Sequence, residues 1–428
     1  MNYRIEHVSA IEILDSRGRP TLQVMVQHEG GARGVAGVPS GASTGTQEAV
    51  ELRDRDLDRF RGAGVQRAVM AVEGEIAEAL VGTAWESFDD VDNALIALDG
   101  TDNKGRLGAN AIVGASMANA RAEAATLDMP LYRLLARGAI EARLPVPHFN
   151  VINGGAHAQN ALDFQEFMIA PLGAPTFREA VRAGAEVYAA LRDLLVDQGM
   201  AAGLGDEGGF APEIDRPERA LELLVQAIVA AGYEPGRAGV AIALDPAASG
   251  FRTEDGRYRV GSESLSTSEL VAYFEDLVER FPIWSIEDGL GEDDWDGWIE
   301  LTQRLGHRIQ IVGDDIFVTN PVIIRRAIAS GVGNAALIKP NQIGTVTETL
   351  EAIEVCRGSS YAQMISHRSG ETTDPFIADL AFGSGCGQIK TGAPARGERV
   401  AKYNRLIEIE LAEPGAPYGT HAVEGESP

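Results

Sequence analysis

Six short apolar runs in the second half of this chain each carry, at or beside their C-terminal end, a polar side chain able to do chemistry. They are GVAIALD with Asp245, IWSIED with Glu287, IQIVGDD with Asp314, AALIKPN with Lys339, AQMISHR with His367 and GQIK with Lys390. Successive polar ends lie roughly 23 to 42 residues apart, and most intervals hold one helix-like stretch. A strand, a functional turn, a helix and the next strand is the rhythm of a (β/α)8 barrel, whose sites gather at the C-terminal strand ends. Three acids, two lysines and a histidine would then share one mouth. That set suits a divalent cation, an anionic substrate and proton transfer.

At 428 residues the chain exceeds one ordinary core, so a second unit is expected. Residues 3–14 and 20–28 alternate as strands do, the turn DSRGRP joins them, and ARGVAGVPS reads as a third strand. Helical spacing follows through about 64–80, 89–98 and 108–127, and Pro130 opens a short helix ending near Leu135. The segment GAIEARLPVP holds two prolines and no periodicity, which places a boundary there. The expected division is an α+β unit over 1–138 and a catalytic barrel over 139–428. Beyond the boundary, HFNVINGG and FQEFMIAP read as an antiparallel pair, so an irregular start to the barrel is expected. Helix starts are marked by Ser266 or Thr267, by Asn320 before Pro321, and by Thr345 or Thr347.

A net charge of −26 would repel nucleic-acid phosphate and anionic lipid over most of the surface. No apolar run approaches the about 18 residues that span a bilayer, and the start MNYRIEHVSA is too polar for a signal peptide. Two cysteines do not make a disulfide framework. A cytoplasmic protein that binds neither nucleic acid nor membrane is the expectation, and any anionic substrate must be drawn in by local lysine, arginine or metal.

Asp245, Glu287 and Asp314 are the metal candidates, because hard cations take oxygen ligands and need few carboxylates when water and substrate supply the rest. Singly, such acids also serve as helix caps or salt-bridge partners. Lys339 follows a run that should be buried, where a nearby cation and a second lysine would depress its pKa toward that of a base. The same lysine could instead only bind an anion, and Lys390 suits that electrostatic role better. GLGDEGGF sets Asp206 and Glu207 on a sharply turning segment, where a carboxyl among apolar neighbours can stay protonated and act as an acid. His157 sits beside two glycines; His367, Arg368 and Ser369 form a phosphate-type cluster. SGASTG reads as a hydroxyl-rich loop able to close over a substrate.

The motifs DSRGRPT, VPSGASTG, LDGTDNKGRLGANAI, GLGDEGGFAP, SIEDGL, VGDDIFVTNP, LIKPNQIGT, SHRSGET and QIKTGAP resemble the enolase family from end to end. The resemblance implies an N-terminal α+β capping domain on a barrel with a partly antiparallel start. It also implies reversible dehydration of 2-phosphoglycerate to phosphoenolpyruvate in glycolysis, two Mg2+ ions per active site, and a homodimer or larger homo-oligomer. By motif, Lys339 resembles the base that removes the C2 proton, and Glu207 the acid that helps the C3 hydroxyl depart. Asp245, Glu287 and Asp314 resemble the ligands of the first Mg2+, and Ser43 a ligand of the second. His157, Glu166 and His367 match substrate contacts, Arg368 and Ser369 the phosphate site, and Lys390 the carboxylate site.

Several positions depart from the family pattern. LDPAASGF has Gly250 where a glutamate is expected and Pro246 beside a metal candidate; PVPHFN carries His148; AQNALDF and DSRGRP are also unusual. These are expected to gather near the barrel mouth. They motivate an alternative, an enolase-family paralogue acting on a phosphonate, such as carboxyphosphonoenolpyruvate synthase. A binding-only protein is disfavoured by the intact Lys339, Glu207 and acids.

Overall fold

Alternating side chains in YRIEHVSAIEIL form strand β1 (Tyr3–Leu14), which buries Tyr3, Ile5, Val8 and Ala10. In this computed structural model, residues 2–42, 44–137, 141–158, 160–200 and 203–420 are described. β1 pairs antiparallel with β2 (Pro20–His28) and with β4 (Ala84–Trp85), and β2 with β3 (Arg33–Gly37), giving the order β3-β2-β1-β4. The helix Ala109–Thr126 packs on this sheet and is buried almost all round, because the barrel covers its other side. A side chain at Gly34 would collide with the Ala118 carbonyl, so this glycine sets how closely sheet and helix approach. The helical stretch expected over 64–80 is interrupted: a π turn at Val72–Ile76, with Gly74 off helical geometry, joins Gln66–Ala71 to Ala77–Leu80.

The first unit is tied to the barrel by buried polar contacts. Val346 N–H donates to Ser116 Oγ (2.9 Å), Thr347 N–H donates to Asp92 Oδ2 (2.9 Å), and Lys104 pairs with Glu348 at 2.5 Å. The junction expected at 138–139 lies outside the described residues.

Eight strands close the barrel: β5 (Val146–Asn153), β6 (Glu166–Ala170), β7 (Ala241–Asp245), β10 (Ile283–Glu287), β11 (Gln310–Gly313), β12 (Ala335–Ile338), β13 (Ala362–Ser366) and β14 (Gln388–Lys390). A small hairpin, β8 (Tyr258–Val260) with β9 (Glu263–Leu265), lies outside it. β6 runs antiparallel to both β5 and β7, and all other neighbours are parallel. Two consecutive helices, Phe177–Asp197 and Pro217–Ala230, separate β6 from β7. The expected barrel with an antiparallel start is therefore what the chain adopts. Ser266 makes a capping box with Glu269, Asn320 caps Pro321–Ser330, and Thr345 caps Val346–Arg357. These caps end the loops that carry the site.

Candidate active site

The period-two pleat points Glu166, Asp245, Glu287 and Lys390, which end or begin their strands, into the barrel mouth, where Asp314, Lys339 and His367 follow one residue after theirs. All of these but Glu287 line a small cavity of about 20 Å3 together with His157, Gln165, Glu207, Ser366, Arg368 and Ser369. A wider groove of about 460 Å3, lined by Thr44, Glu48, Asn341 and Arg368 among others, lies alongside.

Lys390 occupies the centre. Its Nζ donates to Asp245 Oδ2 (3.0 Å) and to both Glu287 oxygens (2.8 and 2.9 Å), and lies 3.2 Å from Glu166 Oε1. Burial pulls the ammonium pKa down, but Asp245, Glu166 and Glu287 outweigh it and hold it well above the usual lysine range. Burial together with Asp245 pushes Glu287 well up, and burial with Glu207 does the same to Glu166. Asp314 stands apart from this group. It pairs with Lys339 and accepts from Gln342 Nε2 at 2.9 Å. Burial lowers Lys339, yet Asp314 more than compensates, so its pKa is raised. Arg368 and Lys390 act in the lowering direction expected from sequence, and the Asp314 carboxylate, the nearest charge, acts against them.

Glu207 also differs from expectation. Its neighbours are polar: Asn150 Nδ2 donates to Oε2 (3.0 Å), His367 Nε2 lies 3.1 Å from Oε2, and His157 Nδ1 lies 3.8 Å from Oε1. Burial raises its pKa, but His367, His157 and Arg399 hold it well below the carboxylate range. His157 Nδ1 is 3.7 Å from Glu166 Oε1 as well, so it stands between two carboxyls whose environments push their pKa values apart. Arg368 faces the mouth with its guanidinium on Glu48, at 3.0 and 3.1 Å. Ser369 Oγ accepts from Arg17 Nη1 at 3.2 Å. Ser43 lies outside the described residues. Ser40 exchanges two backbone hydrogen bonds with Gly370, next to Ser369.

The donors fit a hard cation. Asp245 and Glu287 converge on one positive group, all their donor atoms are oxygen, and Glu166 Oε2 is buried without a hydrogen-bond partner. Asp288, Asp314 and Asp315 also bring carboxylate oxygens together, but Asp288 is committed to the backbone N–H groups of Asp314 and Asp315, each at 2.9 Å.

Sequence reasoning missed Glu48, Asn150, Gln342 and Arg399. Gln342 lies within LIKPNQIGT and was open to notice; the others gain meaning only from what they touch. Of the departures, Pro246 directly follows Asp245 at the mouth, whereas Gly250 and His148 are not in the cavity lining. Gly250 is exposed, and a side chain there would meet nothing within 4 Å. His148 is inside the barrel beside Lys390 in register, accepting from Trp284 Nε1 at 3.1 Å.

Comparison with known proteins agrees with this geometry. Residues 5–135 match the profile described as Enolase, N-terminal domain, and residues 141–424 that described as Enolase, C-terminal TIM barrel domain. The chain is 56% identical over 401 residues to the protein named Enolase from Rubrobacter xylanophilus, covering 93% of each. An eight-stranded barrel with its second strand reversed, an acid-lysine mouth and two matching domain profiles have one reading in common: the chain belongs to the enolase family.

Proposed function

We propose that the protein catalyses the Mg2+-dependent, reversible dehydration of 2-phosphoglycerate to phosphoenolpyruvate, as a phosphopyruvate hydratase. The observation that carries this reading is the presence of Lys339 and Glu207 in the lining of one cavity that is also lined by Asp245, Asp314 and Arg368. Lys339 removes the C2 proton, and Glu207 protonates the departing C3 hydroxyl after taking up a proton as substrate alters the surroundings that hold it ionised in the free site. Arg368 and Ser369 hold the phosphate, Lys390 the carboxylate, and His157, Glu166 and His367 orient the substrate. Asp245, Glu287 and Asp314 would hold the first of two Mg2+ ions and Ser43 would contribute to the second. When bound, the ions would supply positive charge that stabilises the extra negative charge of the deprotonated substrate. A lysine base working with Mg2+ is the known pattern of the enolase superfamily and is carried over from it. Because Asp314 stabilises the Lys339 ammonium, any ligand that draws on Asp314 would ease loss of that proton.

The named relative favours this reading over the phosphonate paralogue, and Gly250 and His148 add no group to the cavity lining. A division near residue 138, a homodimer or larger homo-oligomer and a cytoplasmic, glycolytic role accompany the proposal. No helix among the described residues is long and apolar enough to cross a membrane. The test is steady-state kinetics: 2-phosphoglycerate should give a kcat/KM above about 10⁴ M⁻¹s⁻¹. A lower value together with a faster phosphonate analogue would overturn the assignment.

A further inference from the structure

Arg399, on the C-terminal helix Gly397–Ala412, is fully buried and projects behind the site. Its Nη1 lies 2.6 Å from His367 Nδ1 and donates to Arg368 O at 2.6 Å; its Nη2 donates to Ser369 O (2.6 Å) and Asp206 O (3.2 Å). One guanidinium thus holds both the strand end that carries His367 and the loop that carries Glu207.

The contact with His367 admits one direction only. A guanidinium has no acceptor and keeps its protons, so the ring nitrogen it faces must accept. Nδ1 of His367 is therefore bare, and the proton of the neutral ring sits on Nε2. That nitrogen is buried, has no aligned partner, and lies 3.1 Å from Glu207 Oε2 at the cavity. We propose that Arg399 is a positioning residue that fixes His367 as the neutral Nε2–H tautomer, making it a hydrogen-bond donor to Glu207 and the substrate and never a base. Protonating the ring would require a second proton on Nδ1, directly against the guanidinium. Arg399 also fixes the spacing between donor and acid, since Asp206 O and His367 Nδ1 share it.

The functional half of this inference rests on the proposed dehydration; the tautomer does not. The test is nitrogen NMR of the full-length, 15N-histidine-labelled protein without substrate, with His367 identified among the seven histidines by the signal lost in His367→Gln. The expected spectrum shows a protonated Nε2 and a bare Nδ1, unchanged from about pH 5.5 to 8. A proton on Nδ1, or an imidazolium near neutral pH, would overturn the proposal whatever the enzyme turns over. Arg399→Lys, also an obligate donor, should keep the signature. Arg399→Met should lose it and cost about 10²-fold in kcat on 2-phosphoglycerate, with KM changed far less. A folded Arg399→Met with an unchanged spectrum and kcat would also overturn it. If that variant does not fold, the parent and Arg399→Lys spectra decide.

Discussion

Lys390 Nζ sits 2.8 and 2.9 Å from the two carboxylate oxygens of Glu287, and the same ammonium is the shared counter-charge of Asp245 and Glu166 at the centre of the barrel mouth. Removing one partner of a buried ion pair strands the other, at a cost of about 3–5 kcal/mol. Lys390→Met should accordingly melt well below the parent protein. Because Asp245, Glu166 and Glu287 then lack a counter-charge, added Mg2+ should raise its melting temperature more than that of the parent. Thermal melts with and without Mg2+ check this, and equal Mg2+ responses would contradict it.

The two proton-transfer residues should separate in an exchange experiment. Lys339→Ala should lose both dehydration and exchange of the C2 proton with solvent. Glu207→Gln should lose dehydration by about 10²–10⁴-fold yet retain measurable exchange, since the base is intact. Identical exchange in the two variants would refute the roles given to them.

Chelation should abolish turnover, and Asp314→Ala should weaken Mg2+ binding and activity together. Calorimetric Mg2+ titration of the variant separates the two effects. Full turnover in excess chelator would sink the assignment of these carboxylates to metal.

Glu48 grips the Arg368 guanidinium at 3.0 and 3.1 Å, accepts from Gln342 Nε2 (3.2 Å), and accepts from the backbone N–H of Gly45 (3.2 Å). Glu48→Ala leaves a buried guanidinium without its carboxylate. A loss of about 3 kcal/mol in stability is expected, and KM for a phosphorylated substrate should rise by about tenfold while kcat changes less. Urea unfolding and steady-state kinetics read the two effects separately.

Burial pushes His148 from the ordinary 6.5 down to about 4, so the folded protein keeps the ring neutral where the unfolded chain would protonate it. Stability from this site is whole above about pH 6.5 and is lost as pH falls toward and through about 4. In that window one proton accounts for a slope of about 1.4 kcal/mol per pH unit. His148→Met should flatten the fall in unfolding free energy, read from urea titrations, across this range by about that slope. An unchanged profile would show that the ring titrates normally in the fold.

Much of the architecture was legible because its signals are local. Alternation gave β1 and β2, apolar runs gave the barrel strands, and Ser266, Asn320 and Thr345 announced the helices that follow them. The reversed β6 was legible too, from two apolar runs close together with a loop and no helix between them. The interruption at Gly74 was not, because the helical period continues on both sides of it.

The order of strand, polar end and helix determined by itself that acids, lysines and His367 would share one barrel mouth, since a closed parallel barrel carries its strand ends to one rim. Which of them pair was decided only in three dimensions. Asp245 and Glu287 reach Lys390, whereas Asp314 turns to Lys339. Those choices fix the charges that each group meets, and so raise Lys339 beside the Asp314 carboxylate and lower Glu207, which meets polar groups in place of the apolar neighbours expected from sequence. Sequence neighbours set the backbone, but a buried side chain's protonation follows from charges a few ångströms away on other strands, which linear order does not specify.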